Sequence, residues 1–125
     1  MGKTFNHPFV VGIVGDRLKH HLKLRNKFEL EFKRSGLKNV TYLLLRTQSK
    51  ELKNLITCMK LMDVVAVNLV KKYEKAALKL IDKLDKSAKT ARRVNLIAKS
   101  GRTFTGYFVK DTVAESIKII KPLIT

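Results

Sequence analysis

The stretch Asp63-Val64-Val65-Ala66-Val67-Asn68-Leu69-Val70-Lys71-Lys72 decides the fold class of this chain. Its centre is an apolar run rich in β-branched valine, which is typical of a strand that is covered on both faces, as in a parallel sheet. The run ends abruptly in two lysines. Because open α/β sheets bind their ligands beyond the carboxyl ends of the strands, the sequence places two cations where such folds usually bind a ligand.

Strands and helices are predicted to alternate on both sides of this central strand. Apolar runs bounded by turn residues predict strands, and apolar residues at helical spacing predict helices. Ser49 is a suitable N-cap for the second helix. The predicted strands cover residues 8–14 and 39–46, and the predicted helices cover residues 18–35, 49–61 and 73–84.

The last third of the chain predicts a β-hairpin and a final helix. Two alternating runs, residues 94–98 and 103–108, flank the turn Lys99-Ser100-Gly101-Arg102. A helix then begins at Asp111 or Thr112 and is expected to stop at Pro122. The order β-α-β-α-β-α-ββ-α predicts an α/β fold, a three-layer α-β-α sandwich whose sheet is mainly parallel with an antiparallel hairpin at one edge. Residues 8–125 are expected to form a single domain, preceded by a loose leader over residues 1–7.

Net charge is the most unusual feature of the composition. Lysine and arginine number 27 against 10 aspartates and glutamates, which gives +17 in 125 residues and a pI near 10.3. Such an excess destabilises a compact chain by self-repulsion unless an anion offsets it, and a pI above about 9 is expected of nucleic-acid-binding domains. Nucleic acid is therefore the favoured partner, ahead of a basic surface with no special partner and of an acidic membrane.

Cysteine and histidine contents exclude several classes of site. The single Cys58 excludes an internal disulfide and a cysteine metal cluster, and its apolar helical surroundings predict that it is buried. His7, His20 and His21 have no carboxylate or thiolate at ligand spacing, so no metal site is predicted. Neither a signal peptide nor an apolar run of membrane-spanning length is found, and a cytoplasmic protein is expected.

Five short segments follow one another in a recognisable order. They are Gly12-Ile13-Val14-Gly15 with the nearby His20, Gly36-Leu37, Ala66-Val67-Asn68-Leu69-Val70-Lys71-Lys72, Val94-Asn95-Leu96-Ile97 and Gly106-Tyr107. Together they resemble the N-terminal, substrate-binding domain of shikimate dehydrogenases, over roughly residues 8 to 120. Each segment alone is weakly specific, whereas their order is more specific for the fold.

The resemblance assigns roles to a few residues and also shows departures. Lys72 matches the catalytic lysine of the family, and Asn95 matches its substrate-binding asparagine. The family binds the substrate carboxylate through two serines of a His-Ser-x-Ser-Pro segment. Those serine positions carry His21 and Lys23 here, and Leu24 replaces the proline.

The catalytic machinery implied by the resemblance is incomplete. The position of the family's catalytic aspartate carries Lys110, and Asp111 comes one residue late, so Lys72 is expected to lack an acidic partner. The 125 residues contain no Gly-x-Gly-x-x-Gly, so no dinucleotide site and no cofactor are predicted. We therefore expect a degenerate, stand-alone domain that is not an enzyme.

The basic residues are then the strongest indication of function. Lys and Arg side chains bind phosphates without base specificity. The main hypothesis is a non-catalytic RNA-binding protein, most simply a ribosomal or ribosome-associated component whose partners are rRNA and neighbouring ribosomal proteins, with no membrane partner. The predicted RNA-binding residues are Lys19, Lys23, Lys27, Arg34, Lys71, Lys72, Arg92, Arg93, Lys99, Arg102 and Lys110.

Two other hypotheses stay open on the sequence. The chain could be the substrate-binding subunit or remnant of a shikimate dehydrogenase-like enzyme. It could also be a protein-interaction module that binds an acidic partner. Tyr107 and Phe108 suit either stacking on an unpaired base or, more commonly, packing in the core.

Overall fold

The computed structural model describes residues 9–17, 19–62 and 64–124, so the predicted leader over residues 1–7 lies outside the described residues. Three short 3-10 helices, Lys19–His21, Ser49–Glu51 and Lys71–Tyr73, precede α1, α2 and α3 of the following order. The strands and α-helices are β1 (Phe9–Gly15), α1 (Leu22–Arg34), β2 (Val40–Arg46), α2 (Leu52–Met59), β3 (Val64–Leu69), α3 (Glu74–Ala77), β4 (Lys83–Leu84), α4 (Lys86–Ala91), β5 (Leu96–Ser100), β6 (Thr103–Tyr107) and α5 (Thr112–Ile124).

One mixed sheet joins the described strands in the order β2-β1-β3-β5-β6-β4. β1 pairs in parallel with β2 and with β3, whereas β3 with β5 and β5 with β6 are antiparallel. The α/β class, the parallel β2-β1-β3 half and the hairpin are thus confirmed. The hairpin lies beside the edge rather than on it, because the two-residue strand β4 pairs in parallel with β6 and takes the outermost place.

The central strand β3 is buried along its whole length, as its valine-rich sequence predicts. Helices cover both faces of the sheet. On each face, apolar side chains of the strands and helices form a separate cluster. On one face Phe28 and Phe32 of α1 pack with Ile120 of α5. On the other face Leu52 and Ile56 of α2 pack beneath β1 and β3. These two clusters form the three-layer sandwich.

The predicted third helix, residues 73–84, is wrong beyond its first turns. α3 ends at Ala77, and the chain turns before β4. Lys83 and Leu84 pair with β6, and the Asp85 carboxylate accepts a hydrogen bond from the Ser87 N–H, which begins α4. The pairing of Lys83 and Leu84 with β6 satisfies their backbone groups, and the Asp85 cap satisfies the first turn of α4. A helix that continued through these residues would lose both sets of hydrogen bonds, so the helical periodicity of the segment does not decide its structure.

Several smaller predictions also need correction. Ser49 is the first residue of a 3-10 helix rather than an N-cap, and Gln48 precedes it. α5 continues to Ile124 with Pro122 inside it, because a proline near the end of a helix removes only one hydrogen bond. Cys58 is exposed, since it lies on the outer side of α2. Among the described residues no helix has both the length and the apolar character that crossing a bilayer requires.

Candidate ligand-binding site

The first candidate site, the β1–β3 pocket, lies at the carboxyl ends of β1 and β3 and has a volume of about 280 Å³. The chain leaves β1 toward β2 on one side, whereas β3 lies on the other side. The loops that follow the strands therefore diverge at this point, as at the ligand sites of open α/β sheets. Six polar side chains line the pocket, namely His21, Asn68, Lys71, Glu74, Asn95 and Thr112.

The floor of the β1–β3 pocket is a buried hydrogen-bond network centred on Asn68, which is 2% exposed. The Asn68 Oδ1 accepts a hydrogen bond from the Tyr42 hydroxyl at 2.9 Å, and its Nδ2 donates to the Ser116 Oγ at 3.2 Å. Burial raises the pKa of Tyr42 well above its usual range, so the phenol stays a neutral donor. Asn68 thus links β3 to β2 and α5. Both polar atoms of its amide are engaged in these structural hydrogen bonds.

Asn95, which matches the substrate-binding asparagine of shikimate dehydrogenases, has its side chain engaged with backbone. Its Nδ2 donates to the Val109 carbonyl at 2.8 Å, and its Oδ1 accepts from the Val109 N–H at 2.8 Å. The pair of bonds anchors the loop between β6 and α5 against β5. A ligand in the pocket would have to share these atoms or use other groups.

The wall of the pocket contains a buried carboxylate. Glu74 is 7% exposed, and its Oε1 lies 3.6 Å from the Arg93 Nη1, too far for a good hydrogen bond. Burial raises the pKa of Glu74, while the charges of Arg93 and Lys71 act in the opposite direction. Arg93 also lies over the Phe108 ring, 5.1 Å from its centroid. Arg93 is partly buried, and both the Glu74 carboxylate and the face of the Phe108 ring stabilise its guanidinium group.

The two positions that align with the family's serines separate in the structure. His21 lines the β1–β3 pocket, and its Nδ1 is buried with no hydrogen-bond partner among the described atoms. Lys23 lies on the exposed side of α1. Across the pocket, Lys71 is exposed at the mouth, and Thr112 contributes a hydroxyl from the start of α5. In the part of the chain that the structure describes, no three His, Cys, Asp or Glu residues are grouped to hold a metal ion.

Lys72 has an acidic partner, so the expectation that it lacks one is wrong. Its Nζ lies 2.9 Å from the Asp16 Oδ2, and the two side chains are 66% and 33% exposed. The hydrogen bond from Lys72 lowers the pKa of Asp16 below its usual value. The partner comes from the end of β1, a place the family alignment does not indicate. The Lys72 ammonium thus points to Asp16, and the described lining of the β1–β3 pocket does not include it.

Asp111, one residue after the expected catalytic aspartate, caps a helix. Its Oδ1 accepts from the Ala114 N–H at 3.2 Å, and its own N–H donates to the Glu115 Oε2 at 2.6 Å. This reciprocal arrangement resembles a capping box at the start of α5, with the acidic side chain on the fourth helical residue rather than the third. Asp111 and the exposed Lys110 line a second concavity, the α1–α5 groove, rather than the β1–β3 pocket.

The eleven predicted RNA-binding residues do not form one patch. Lys99 donates to the carbonyls of Lys60 and Met62, just before β3 begins, so it and the exposed Arg102 lie at the other end of the sheet from the β1–β3 pocket. A six-residue strand separates these ends by about 17 Å. Arg34 pairs with Glu31 at 3.0 Å. The predicted cations whose side chains form no hydrogen bond or ion pair in the described structure are Lys19, Lys23, Lys27, Lys71, Arg92, Arg102 and Lys110.

A third concavity, the β1–β2 pocket, was not predicted from the sequence. It has a volume of about 500 Å³ at the carboxyl ends of β1 and β2, and Arg17, Arg46 and Lys50 line it. One pattern could have indicated it, because Arg46 ends the second strand and Arg17 comes two residues after the end of the first. The family motifs draw attention to Lys72 instead, and no motif includes these three cations.

No protein-family model matches the chain. A shikimate dehydrogenase (NADP+) from Pyrococcus furiosus is 29% identical over 100 residues, which are 78% of this chain and 35% of that protein. A shikimate dehydrogenase solved in complex with NADP+ superimposes with a TM-score of 0.73 at 26% identity, over 79% of this chain and 34% of the other. Shikimate 5-dehydrogenase from Listeria monocytogenes, solved with shikimate and NAD, superimposes with a TM-score of 0.77 at 22% identity, over 95% of this chain and 41% of the other.

These similarities agree with the order of motifs along the sequence and with the α/β fold of the chain. The chain spans 35% of the curated relative and 34% and 41% of the two solved chains. Over that span, the chain is similar to shikimate dehydrogenases in sequence and in fold, and its α/β fold has a pocket at the carboxyl ends of β1 and β3.

Proposed function

We propose that this chain is a substrate-binding domain that holds a small hydroxylated carboxylic acid in the β1–β3 pocket. The observation that carries the proposal is the pocket itself, which lies where the fold places ligands and has a polar lining. The solved relative from Listeria monocytogenes, of the same fold, is a complex with shikimate and NAD. A volume of about 280 Å³ suits a small molecule of that kind.

The groups left for a ligand lie on the walls rather than on the floor. Asn68 and Asn95 have their amides engaged with the protein. The Lys71 ammonium is exposed at the mouth and is suited to a carboxylate, while the Thr112 hydroxyl and the buried Glu74 carboxylate are suited to hydroxyl groups. This arrangement differs from recognition of the carboxylate by two serines.

We also propose that this chain by itself does not catalyse hydride transfer. Lys72, which matches the catalytic lysine, forms an exposed ion pair with Asp16. A general acid or base must reach the proton that it transfers. Asp111 is used to cap α5. The described lining of the β1–β3 pocket includes Lys71 but no aspartate, so it offers no lysine–aspartate pair for proton transfer.

Titration calorimetry of the whole chain with shikimate tests the binding proposal. We expect saturable heat, and Lys71→Met should weaken binding at least tenfold because it removes the cation at the mouth of the pocket. Lys72→Met is the matched control, since it removes the neighbouring cation that pairs with Asp16, and it should change the affinity less than twofold.

Two results would contradict these proposals. The absence of saturable heat at millimolar shikimate would overturn the binding function. NADP+ reduction that depends on shikimate and disappears in Lys72→Met would overturn the non-catalytic assignment. An equal loss of affinity in Lys71→Met and Lys72→Met would show that net charge, rather than the pocket, attracts the acid.

RNA binding stays a second proposal, supported by the charge of +17 and by the exposed predicted cations whose side chains form no hydrogen bond or ion pair within the described residues. We expect co-sedimentation with ribosomal subunits that is lost at high salt, because phosphate contacts release counterions. A flat salt dependence would contradict this proposal. Capture that survives ribonuclease would favour an acidic protein partner instead.

A further inference from the structure

The β1–β2 pocket is built on backbone contacts that hold two loops side by side. Gly15 at the end of β1 pairs with Arg46 at the end of β2. The Thr47 N–H donates to the Gly15 carbonyl at 2.7 Å, and the Thr47 carbonyl accepts from the buried Tyr73 hydroxyl at 2.5 Å. The lining residues of the pocket directly follow Gly15 or lie close to Thr47 in the sequence. These backbone contacts therefore fix where the lining residues lie. The lining consists of Asp16, Arg17, Arg46, Gln48, Ser49 and Lys50.

The cations of this pocket outnumber its acidic residues by three to one. Arg17, Arg46 and Lys50 are exposed, and in the described structure none of them forms a hydrogen bond or an ion pair through its side chain. The single carboxylate, Asp16, accepts its hydrogen bond from Lys72 instead. The positive charges of Lys72 and Arg17 both contribute to the lowered pKa of Asp16. The pocket is therefore a concavity with a net positive charge that nothing within the described fold neutralises.

The α1–α5 groove has a different charge balance, because its lining has two basic and two acidic residues. Lys27 and Lys110 line it opposite Asp111 and Glu115. Where the groove continues along α1, Arg34 is paired with Glu31. Basic and acidic side chains therefore balance along this groove. The comparison distinguishes a merely charged surface from the β1–β2 pocket, where the basic side chains remain in excess.

We propose that the β1–β2 pocket is a phosphate-binding site, separate from the β1–β3 pocket and independent of its proposed function. The two guanidinium groups of Arg17 and Arg46 match phosphate oxygens through paired N–H donors, and the Lys50 ammonium adds a third charge. The Ser49 hydroxyl and the Gln48 amide supply neutral donors at the same rim. The ligand class is a phosphate group, borne either by a small phosphate ester or by single-stranded RNA.

Calorimetric titration of the whole chain with pyrophosphate tests the site. The variant Arg17→Gln/Arg46→Gln/Lys50→Gln should weaken binding at least tenfold. The control Lys75→Gln/Lys79→Gln/Lys118→Gln removes the same charge from exposed positions outside the described linings of the three concavities, and it should weaken binding less than threefold. All six side chains are exposed, so the fold should be kept, and circular dichroism checks this.

Further arms of the experiment identify the source of the phosphate. Displacement of pyrophosphate from the native chain by a short single-stranded RNA, together with weaker direct binding of that RNA by the pocket variant, would support the proposal with nucleic acid as the source. Displacement by a sugar phosphate but not by RNA would support it with a small ester as the source. Equal weakening in both triple variants, or no pyrophosphate binding by the native chain, would overturn the proposal.

Discussion

The β1–β3 pocket and the β1–β2 pocket lie on either side of the carboxyl end of β1. They differ in whether their polar side chains are hydrogen-bonded within the protein. In the β1–β3 pocket, Asn68 and Asn95 are bonded to the protein itself, so much of the polarity is structural. In the β1–β2 pocket, the side chains of Arg17, Arg46 and Lys50 form no hydrogen bond or ion pair within the described residues. Polar residues near a pocket are thus poor indicators of binding until their hydrogen bonds are assigned.

The largest expected effect is on the floor of the β1–β3 pocket. Asn68→Leu should lower the free energy of unfolding by about 3 kcal/mol, because the Tyr42 hydroxyl and the Ser116 Oγ lose their partner in a buried site. Urea denaturation measures the change. The exposed Asn54→Leu is the control and should change stability by less than about 0.5 kcal/mol. Similar effects for both variants would show that the network is not structural.

A smaller loss is expected from Tyr42→Phe. The ring keeps its stacking on Phe28, with centroids 4.2 Å apart, and only the hydroxyl bonded to Asn68 is removed. We expect a loss of about 1 kcal/mol in the free energy of unfolding, measured by urea denaturation. Tyr107→Phe provides the comparison, since no hydrogen bond of its hydroxyl is described, and it should cost clearly less. A larger loss in Tyr107→Phe would contradict this ranking.

Glu74 should make stability depend on pH with a definite sign. Burial raises its pKa in the folded state, so the fold favours the protonated carboxyl, and this contribution is present below the unfolded pKa and lost as pH rises through the folded value. Unfolding of the native chain and of Glu74→Gln should therefore be compared from pH 4 to pH 7. We expect the native chain to lose stability relative to Glu74→Gln as pH rises. If the native chain instead gained stability relative to Glu74→Gln as pH rises, the charge of Arg93 would outweigh burial and lower the pKa of Glu74.

The smallest effect concerns the ion pair between the two pockets. Lys72→Gln should leave the urea midpoint unchanged, because both side chains of the pair are solvent-exposed. NMR titration of the Asp16 carboxyl carbon should nevertheless show its pKa moving up toward the usual value, since the hydrogen bond from Lys72 is the main cause of its lowering. An unchanged Asp16 pKa would show that Arg17 alone sets the local field.

Much of the fold could be predicted, because its central features are local in sequence. The valine run from Val64 predicts a doubly covered strand, and Gly101 with Arg102 predicts a tight hairpin turn, where Gly101 adopts a φ of +62°. Residues 73–84 have the spacing of a helix but do not form one throughout, because helical spacing is also compatible with turns that pack on a core. Their pairing with β6 depends on a strand that comes about 20 residues later, as β-sheet pairing often does.

The candidate site was predictable in position but not in detail. The lysines after β3 lie at the end of the sheet where the β1–β3 pocket opens, and the lining of that pocket includes Lys71, Asn95 and His21. Which of Lys71 and Lys72 lines the pocket follows from the position of Asp16, which is distant in sequence. The convergence of Arg17, Arg46 and Lys50 likewise needs two adjacent strands, and no single motif contains it.

The sequence by itself determined the alternation of strands and helices, the buried centre, the similarity to shikimate dehydrogenases and the excess of positive charge, because these depend on composition and on neighbours along the chain. The tertiary structure alone decided which polar groups are already bonded and which cations remain unpaired. Hydrogen bonds and charge balance depend on distances between residues far apart in sequence, and only the folded chain sets those distances.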